Sequence, residues 1–114
     1  MSRRSTSEQA ALYVDGLALC QWLLEKFDRD PGVLGPSLCG CALELIQTLV
    51  LALKDRARDE RIELADEQLI RLRVLLRLAV DSERLSPEQY GFALDQVDAI
   101  GRQLGGWIRS LEPS

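Results

Sequence analysis

The chain has 114 residues, 46% hydrophobic and 28% charged, with a formal net charge of -4 and no histidine. That length holds one domain around a single hydrophobic core, and the net charge supplies no general attraction to nucleic acid or acidic membranes. The missing histidine removes the commonest general base and the commonest metal ligand. Aromatic residues are only 5% and no segment alternates apolar and polar residues as a half-buried strand does, so the expected class is all-α.

Taken in chain order, Ser5-Thr6-Ser7-Glu8 offers a capping box, with Ser5 as N-cap and Glu8 three residues on. Leu12, Gly16, Leu19, Leu23 and Phe27 or Lys26 then follow the spacing of one helix face. Ala11, Val14, Ala18, Cys20, Trp22 and Leu24 widen it. The predicted helix covers roughly 6–29 and stops at Asp28-Arg29-Asp30-Pro31-Gly32, because proline cannot continue a helix and glycine tolerates the turn.

A second helix is predicted over 36–60, opening at Gly35-Pro36-Ser37 with proline in its first turn. Leu38, Cys41 or Ala42, Leu45, Leu49 and Ala52 form its core seam, and Cys39, Leu43, Ile46, Val50, Leu51 and Leu53 add an apolar flank. The longest apolar region, Cys41 to Leu53, holds Glu44 and Gln47 and falls short of a membrane span. Lys54 to Arg61 mixes charge signs and reads as a solvated helix end.

The third helix, 63–83, carries Ala65, Leu69, Leu72, Leu76 and Ala79 on its seam. The fourth, 87–111, opens with Ser86 as N-cap, Pro87 at the first helical position and Gln89 completing a capping box. Its predicted seam is Tyr90, Leu94, Val97, Gly101, Leu104, Ile108 and Leu111. Four amphipathic helices with short connections predict an antiparallel up-down four-helix bundle in a single domain over 1–114.

Chemistry is sparse. Cys20, Cys39 and Cys41 are an odd set with no signal peptide before them, so reduced thiols in the cytoplasm are expected. Cys39-Gly40-Cys41 lacks the two-residue spacer of a zinc or redox pair, and the three read as small apolar residues with no metal or cofactor to hold. No phosphate loop or catalytic constellation is present, and Ser86 is accounted for as a cap, so no enzymatic activity is expected.

Two features of the last third stand out. Arg73, Arg77 and Arg84 fall within roughly 40° of one another on the third helix at 100° per residue. Arg102 and Arg109, seven residues apart, share a face of the fourth. On neighbouring helices these five make a basic strip whose guanidinium forks suit phosphates or a partner protein. Alternatively, they pair with Asp66, Asp81, Glu83, Asp95 or Asp98 and lay their stems over leucines. The second feature is Gly101, Gly105 and Gly106 inside a periodic helix, where each glycine costs about 1 kcal/mol against alanine. Gly101 and Gly105 allow another helix to approach closely, with Trp107 closing the groove. The broad apolar faces of the first two helices predict burial beyond one bundle, hence a homo-oligomer.

The runs Leu72-Arg73-Val74-Leu75-Leu76-Arg77-Leu78-Ala79, Leu85-Ser86-Pro87-Glu88-Gln89-Tyr90 and Ile100-Gly101-Arg102-Gln103-Leu104-Gly105-Gly106-Trp107-Ile108 together resemble the accessory variability determinant (Avd) proteins of diversity-generating retroelements. Those are related to the four-helix bundle proteins encoded in ribosomal RNA intervening sequences. The resemblance spans about residues 69–111. It implies a barrel-shaped homopentamer of four-helix bundles that associates with the element's reverse transcriptase and with RNA or DNA, supporting the error-prone copying of template RNA. It implies that Arg73, Arg77 and Arg102 contact nucleic acid or polymerase, and that Gly101, Gly105 and Trp107 serve helix packing. The chain departs from that family in charge. Avd proteins are typically strongly basic, whereas the isoelectric point here is about 4.8, and non-specific binding depends on phosphate neutralisation. A second class of function is an oligomeric scaffold that binds proteins without touching nucleic acid. Salt-dependent RNA affinity separates the two.

Overall fold

A computed structural model of the chain describes residues 6–54 and 58–111, with side chains from 11 to 54 and from 58 to 107. Its helices are α1 (Thr6–Phe27), α2 (Leu34–Leu53), α3 (Arg58–Asp81) and α4 (Pro87–Leu111). There is no strand among the described residues. α1 packs on α2 and α4, and α3 packs on α2 and α4, while the diagonal pairs do not meet. Four helices in a ring around one core give a body 47 × 22 × 22 Å. The 24 residues of α3 rise about 36 Å and run through most of its length.

Hydrophobic periodicity sets this ring. The predicted seams of the first three helices are buried, with Ala42 rather than the half-buried Cys41 on the α2 seam. Leu12, Leu23, Leu38, Leu49, Leu69, Leu72 and Leu76 are all 0% exposed, and each leucine so buried contributes about 1.5–3 kcal/mol. Gly16 is where α1 comes closest to α2. A Cβ there would sit 2.7 Å from Leu49 Cδ1 and 3.3 Å from Ile46 Cδ1.

The α4 seam is rotated from the predicted one. Ala93, Val97, Ile100, Leu104 and Trp107 are buried, whereas Tyr90, Leu94 and Gly101 are only half-buried. Ile100 and Trp107, seven apart, bring more apolar volume to the core than the stripe through Gly101, and the helix turns them inward. Ile108 and Leu111 have side chains outside the described residues, as does the Ser5–Glu8 cap.

The helix limits also differ. α2 ends at Leu53, not residue 60, and α3 starts at Arg58, not 63. Arg58 to Arg61 of the charged run therefore form the first turn of α3, where Asp59 and Glu60 face the positive end of the helix dipole, while residues 55–57 lie outside the described residues. Leu34–Leu53 is also the one helix among the described residues long and apolar enough to cross a membrane, with mean hydropathy 1.6. The sequence reading, starting at Cys41, undercounts it. Its apolar character serves packing on both α1 and α3, with Leu38, Ala42, Leu45, Leu49 and Ala52 buried between them.

The loops hold the ends together. α2 begins after Val33, which makes no side-chain cap. Asp30 replaces it, its Oδ2 accepting the Gly35 N–H at 3.2 Å, and a Cβ on Gly35 would run into the Asp30 side chain. Asp30 Oδ1 also pairs with Arg84 Nε at 3.2 Å, tying the α1–α2 loop to the α3–α4 turn. Ser86 and Gln89 form the predicted capping box, with Gln89 N–H donating to Ser86 Oγ at 3.1 Å and Ser86 N–H to Gln89 Oε1 at 3.0 Å.

α3 ends in a Schellman turn, with Arg84 N–H donating to Ala79 O at 2.8 Å and Glu83 N–H to Val80 O at 3.1 Å. Glu83 holds the left-handed position at φ 63°, where an L side chain costs about 1–2 kcal/mol. Glu83→Gly is expected to raise stability by about 0.5–1 kcal/mol, the larger unfolded-state entropy of glycine taking back part of the strain. Urea unfolding measures it, and a loss of stability would contradict this account of the turn.

Candidate nucleic-acid and partner interface

α3 and α4 place the candidate arginines along their shared edge. Arg73 reaches from α3 across Gly101 of α4 and donates through Nη2 to Asp98 Oδ1 at 3.0 Å. Its Nη2 lies 3.3 Å from where a Gly101 Cβ would stand, with Leu69 Cδ1 next at 3.9 Å. The close neighbour of Gly101 is therefore a guanidinium and not a helix backbone. Gly105 and Gly106 are half-buried, and Trp107 is 3% exposed. Trp107 closes one end of the bundle, with the Arg58 guanidinium 4.8 Å above its ring. Arg58 Nε also donates to Ala52 O at the end of α2, at 3.5 Å.

Arg77 Nε donates to both carboxylate oxygens of Asp81, at 3.2 and 3.0 Å. Asp81, through its hydrogen bond and its charge, holds this guanidinium above its already high range, with Tyr90 adding to the effect. Arg84 is spent on Asp30. Three candidate arginines thus carry carboxylate partners. Arg102 is exposed with no ion pair among the described residues. The Arg109 side chain lies outside the described residues.

Sequence reasoning passed over Arg71, which is exposed and likewise makes no ion pair among the described residues. It falls on the α2 side of α3, about 160° from Arg73, so an arginine strip drawn along one face excludes it. Pairing offsets the charge of Arg73, Arg77 and Arg84, while Arg71 and Arg102 make no ion pair among the described residues. Exposed pairs of this kind are worth about 0.2–1 kcal/mol and exchange partners readily.

The rest of the molecule offers no reactive centre among the described residues. No three potential metal ligands cluster there. Burial, first, pushes all three thiols above their ordinary range. Cys39 adds to the shift at Cys20, Asp28 and Asp30 add to it at Cys39, and Glu44 adds to it at Cys41 while Arg71 opposes. Thiols held protonated in this way are poor nucleophiles and poor ligands. Cys41 donates its S–H to Gln68 O at 3.5 Å, helping to join α2 to α3.

The described residues thus form a four-helix bundle with arginines along the α3–α4 edge. The family model described as bAvd-like matches residues 18–111, and the chain belongs to that family. Comparison with curated proteins and with solved structures finds no match.

Proposed function

We propose that this chain is a non-catalytic accessory protein of a diversity-generating retroelement. In this reading it is an up-down bundle that acts in the cytoplasm as a homo-oligomer, a pentamer if it follows its relatives. It associates with the reverse transcriptase and with template RNA or cDNA during mutagenic copying. The observation that carries the reading is the bAvd-like match across residues 18–111.

Nucleic-acid contact in a chain of net charge -4 has to be local, and Arg71 and Arg102 are its natural points because neither makes an ion pair among the described residues. Arg73 and Arg77 join only by exchanging Asp98 and Asp81 for phosphates. Fluorescence anisotropy with a short single-stranded RNA tests this. Affinity is expected to fall as salt rises, with a log–log slope near -0.7 for each phosphate neutralised. Arg102→Ala weakens binding and flattens the slope by about one contact, whereas Arg84→Ala, already tied to Asp30, leaves both unchanged.

A second reading is a scaffold that holds the transcriptase or other proteins without touching RNA. The pairing of Arg73, Arg77 and Arg84 with Asp98, Asp81 and Asp30 favours it. Absence of RNA binding at low salt, with transcriptase binding intact, selects that reading.

A further inference from the structure

Aromatic residues are few in this chain, and Phe92 is the most exposed of them, at 47%. It stands on the α1–α4 edge beside Trp22, with ring centroids 5.4 Å apart and planes tilted by 47°. The Lys26 ammonium lies 5.8 Å from the centroid of the Trp22 ring, and Lys26 makes no ion pair among the described residues. Glu88 and Gln89, in the first turn of α4, complete the hollow that these side chains line. Gln89 is occupied, its Oε1 accepting the Ser86 N–H, whereas the exposed Glu88 makes no ion pair among the described residues. Because α1 does not pack on α3, the hollow lies on a different side of the ring from the arginines of the α3–α4 edge.

We propose that this hollow binds a guanine nucleotide, free or as an unpaired residue of RNA. Three groups each answer one part of such a ligand. The exposed Phe92 ring offers a flat face, and unpaired bases are commonly held by stacking on aromatic side chains. The Lys26 ammonium is a compact charge for the phosphate. The Glu88 carboxylate accepts hydrogen bonds, and guanine is the base whose Watson–Crick edge carries two adjacent N–H donors, its ring imino and amino groups. A cationic ligand fits less well, since Lys26 already covers the Trp22 ring and repels it. An extended peptide finds no free backbone edge, because both walls of the hollow are helices. The RNA form of the proposal rests on the retroelement reading above, and the free-nucleotide form does not.

The test titrates the full chain with guanosine monophosphate and, separately, with a short single-stranded RNA containing guanine. The Trp22 indole N–H is followed in a proton–nitrogen correlation spectrum, where its loss in Trp22→Phe assigns it. Saturable shifts of that signal are expected with both ligands. Phe92→Leu keeps an apolar side chain but removes the flat ring, and is expected to weaken binding roughly tenfold, while Phe92→Tyr keeps it. Glu88→Gln is expected to abolish the preference for guanosine over uridine monophosphate, and Lys26→Gln to remove most of the salt dependence. Arg102→Ala leaves binding of the free nucleotide unchanged. Should Phe92→Leu lose its helical circular dichroism, the exposed Glu88→Gln carries the test. Shifts with only one of the two ligands keep the site and assign its source to the free nucleotide or to RNA. No shift with either ligand, or wild-type affinity in Phe92→Leu, overturns the site and leaves the retroelement reading and its arginine contacts standing.

Discussion

Trp107→Ala is expected to lower the unfolding free energy by about 3–5 kcal/mol, the usual range for removing a buried tryptophan. For a chain of this size that corresponds to roughly 10–20 °C in melting temperature. The effect is large because of where the indole sits. It is 3% exposed, it lies under the Arg58 guanidinium at 4.8 Å, and Arg58 in turn donates to the last turn of α2. Removing the ring therefore loosens α2, α3 and α4 at one end together. Arg58→Ala, which removes the cation but leaves the ring, is expected to cost less, about 0.5–2 kcal/mol. Because the two residues touch, the double variant should cost less than the sum of the singles. Urea unfolding followed by circular dichroism measures all three, and a Trp107→Ala loss below 1 kcal/mol would mean the indole is not a core residue.

Gly16→Leu is expected to destabilise by about 2 kcal/mol or more. A leucine gains about 0.8–1 kcal/mol of helix propensity over glycine, but its Cβ falls 2.7 Å from Leu49 Cδ1. Leu49 is 0% exposed and has nowhere to move, so α1 must lift from α2, and overpacking of this kind costs about 1–3 kcal/mol before any loss of neighbouring contacts. Gly40→Ala supplies the contrast. A Cβ at Gly40 meets nothing within 4 Å, so the propensity gain stands alone and the change is expected to stabilise by about 0.5–1 kcal/mol. Opposite signs at the two glycines, read from urea midpoints, would separate close packing from propensity. Equal signs would contradict the packing assigned to Gly16.

Much of the fold is legible because leucine spacing is a local signal. The α1, α2 and α3 seams follow from it, and the Ser86 capping box follows from residue types at fixed offsets. The α4 seam misleads because Tyr90, Leu94 and Val97 keep good spacing on a stripe that continues through Gly101, while the heavier Ile100 and Trp107 lie on the adjacent stripe. Only the neighbouring helices decide between them. The same limit governs the site. Arg77 with Asp81 is a one-turn pair visible in the sequence, but Arg73 with Asp98 needs the register of α3 against α4. Arg84 with Asp30 needs two loops to meet at one end of the bundle. Gly101 signals close approach correctly, but a glycine does not say what approaches, and here it is the Arg73 guanidinium.

These pairings bear on function. An α3–α4 edge whose arginines already hold carboxylates is poorly suited to tight, indiscriminate binding of nucleic acid. In the proposed accessory role, contacts to RNA form once another protein has brought it close, since exposed ion pairs give up little when exchanged for phosphates.

The most direct test of that role is cDNA synthesis by the retroelement's reverse transcriptase on its own template RNA, with and without this protein at equal concentrations of the other components. The account predicts that the protein co-purifies with the transcriptase and that template-primed, mutated cDNA depends on its presence. Undiminished yield and mutation frequency without the protein, together with no association with the transcriptase, would contradict it.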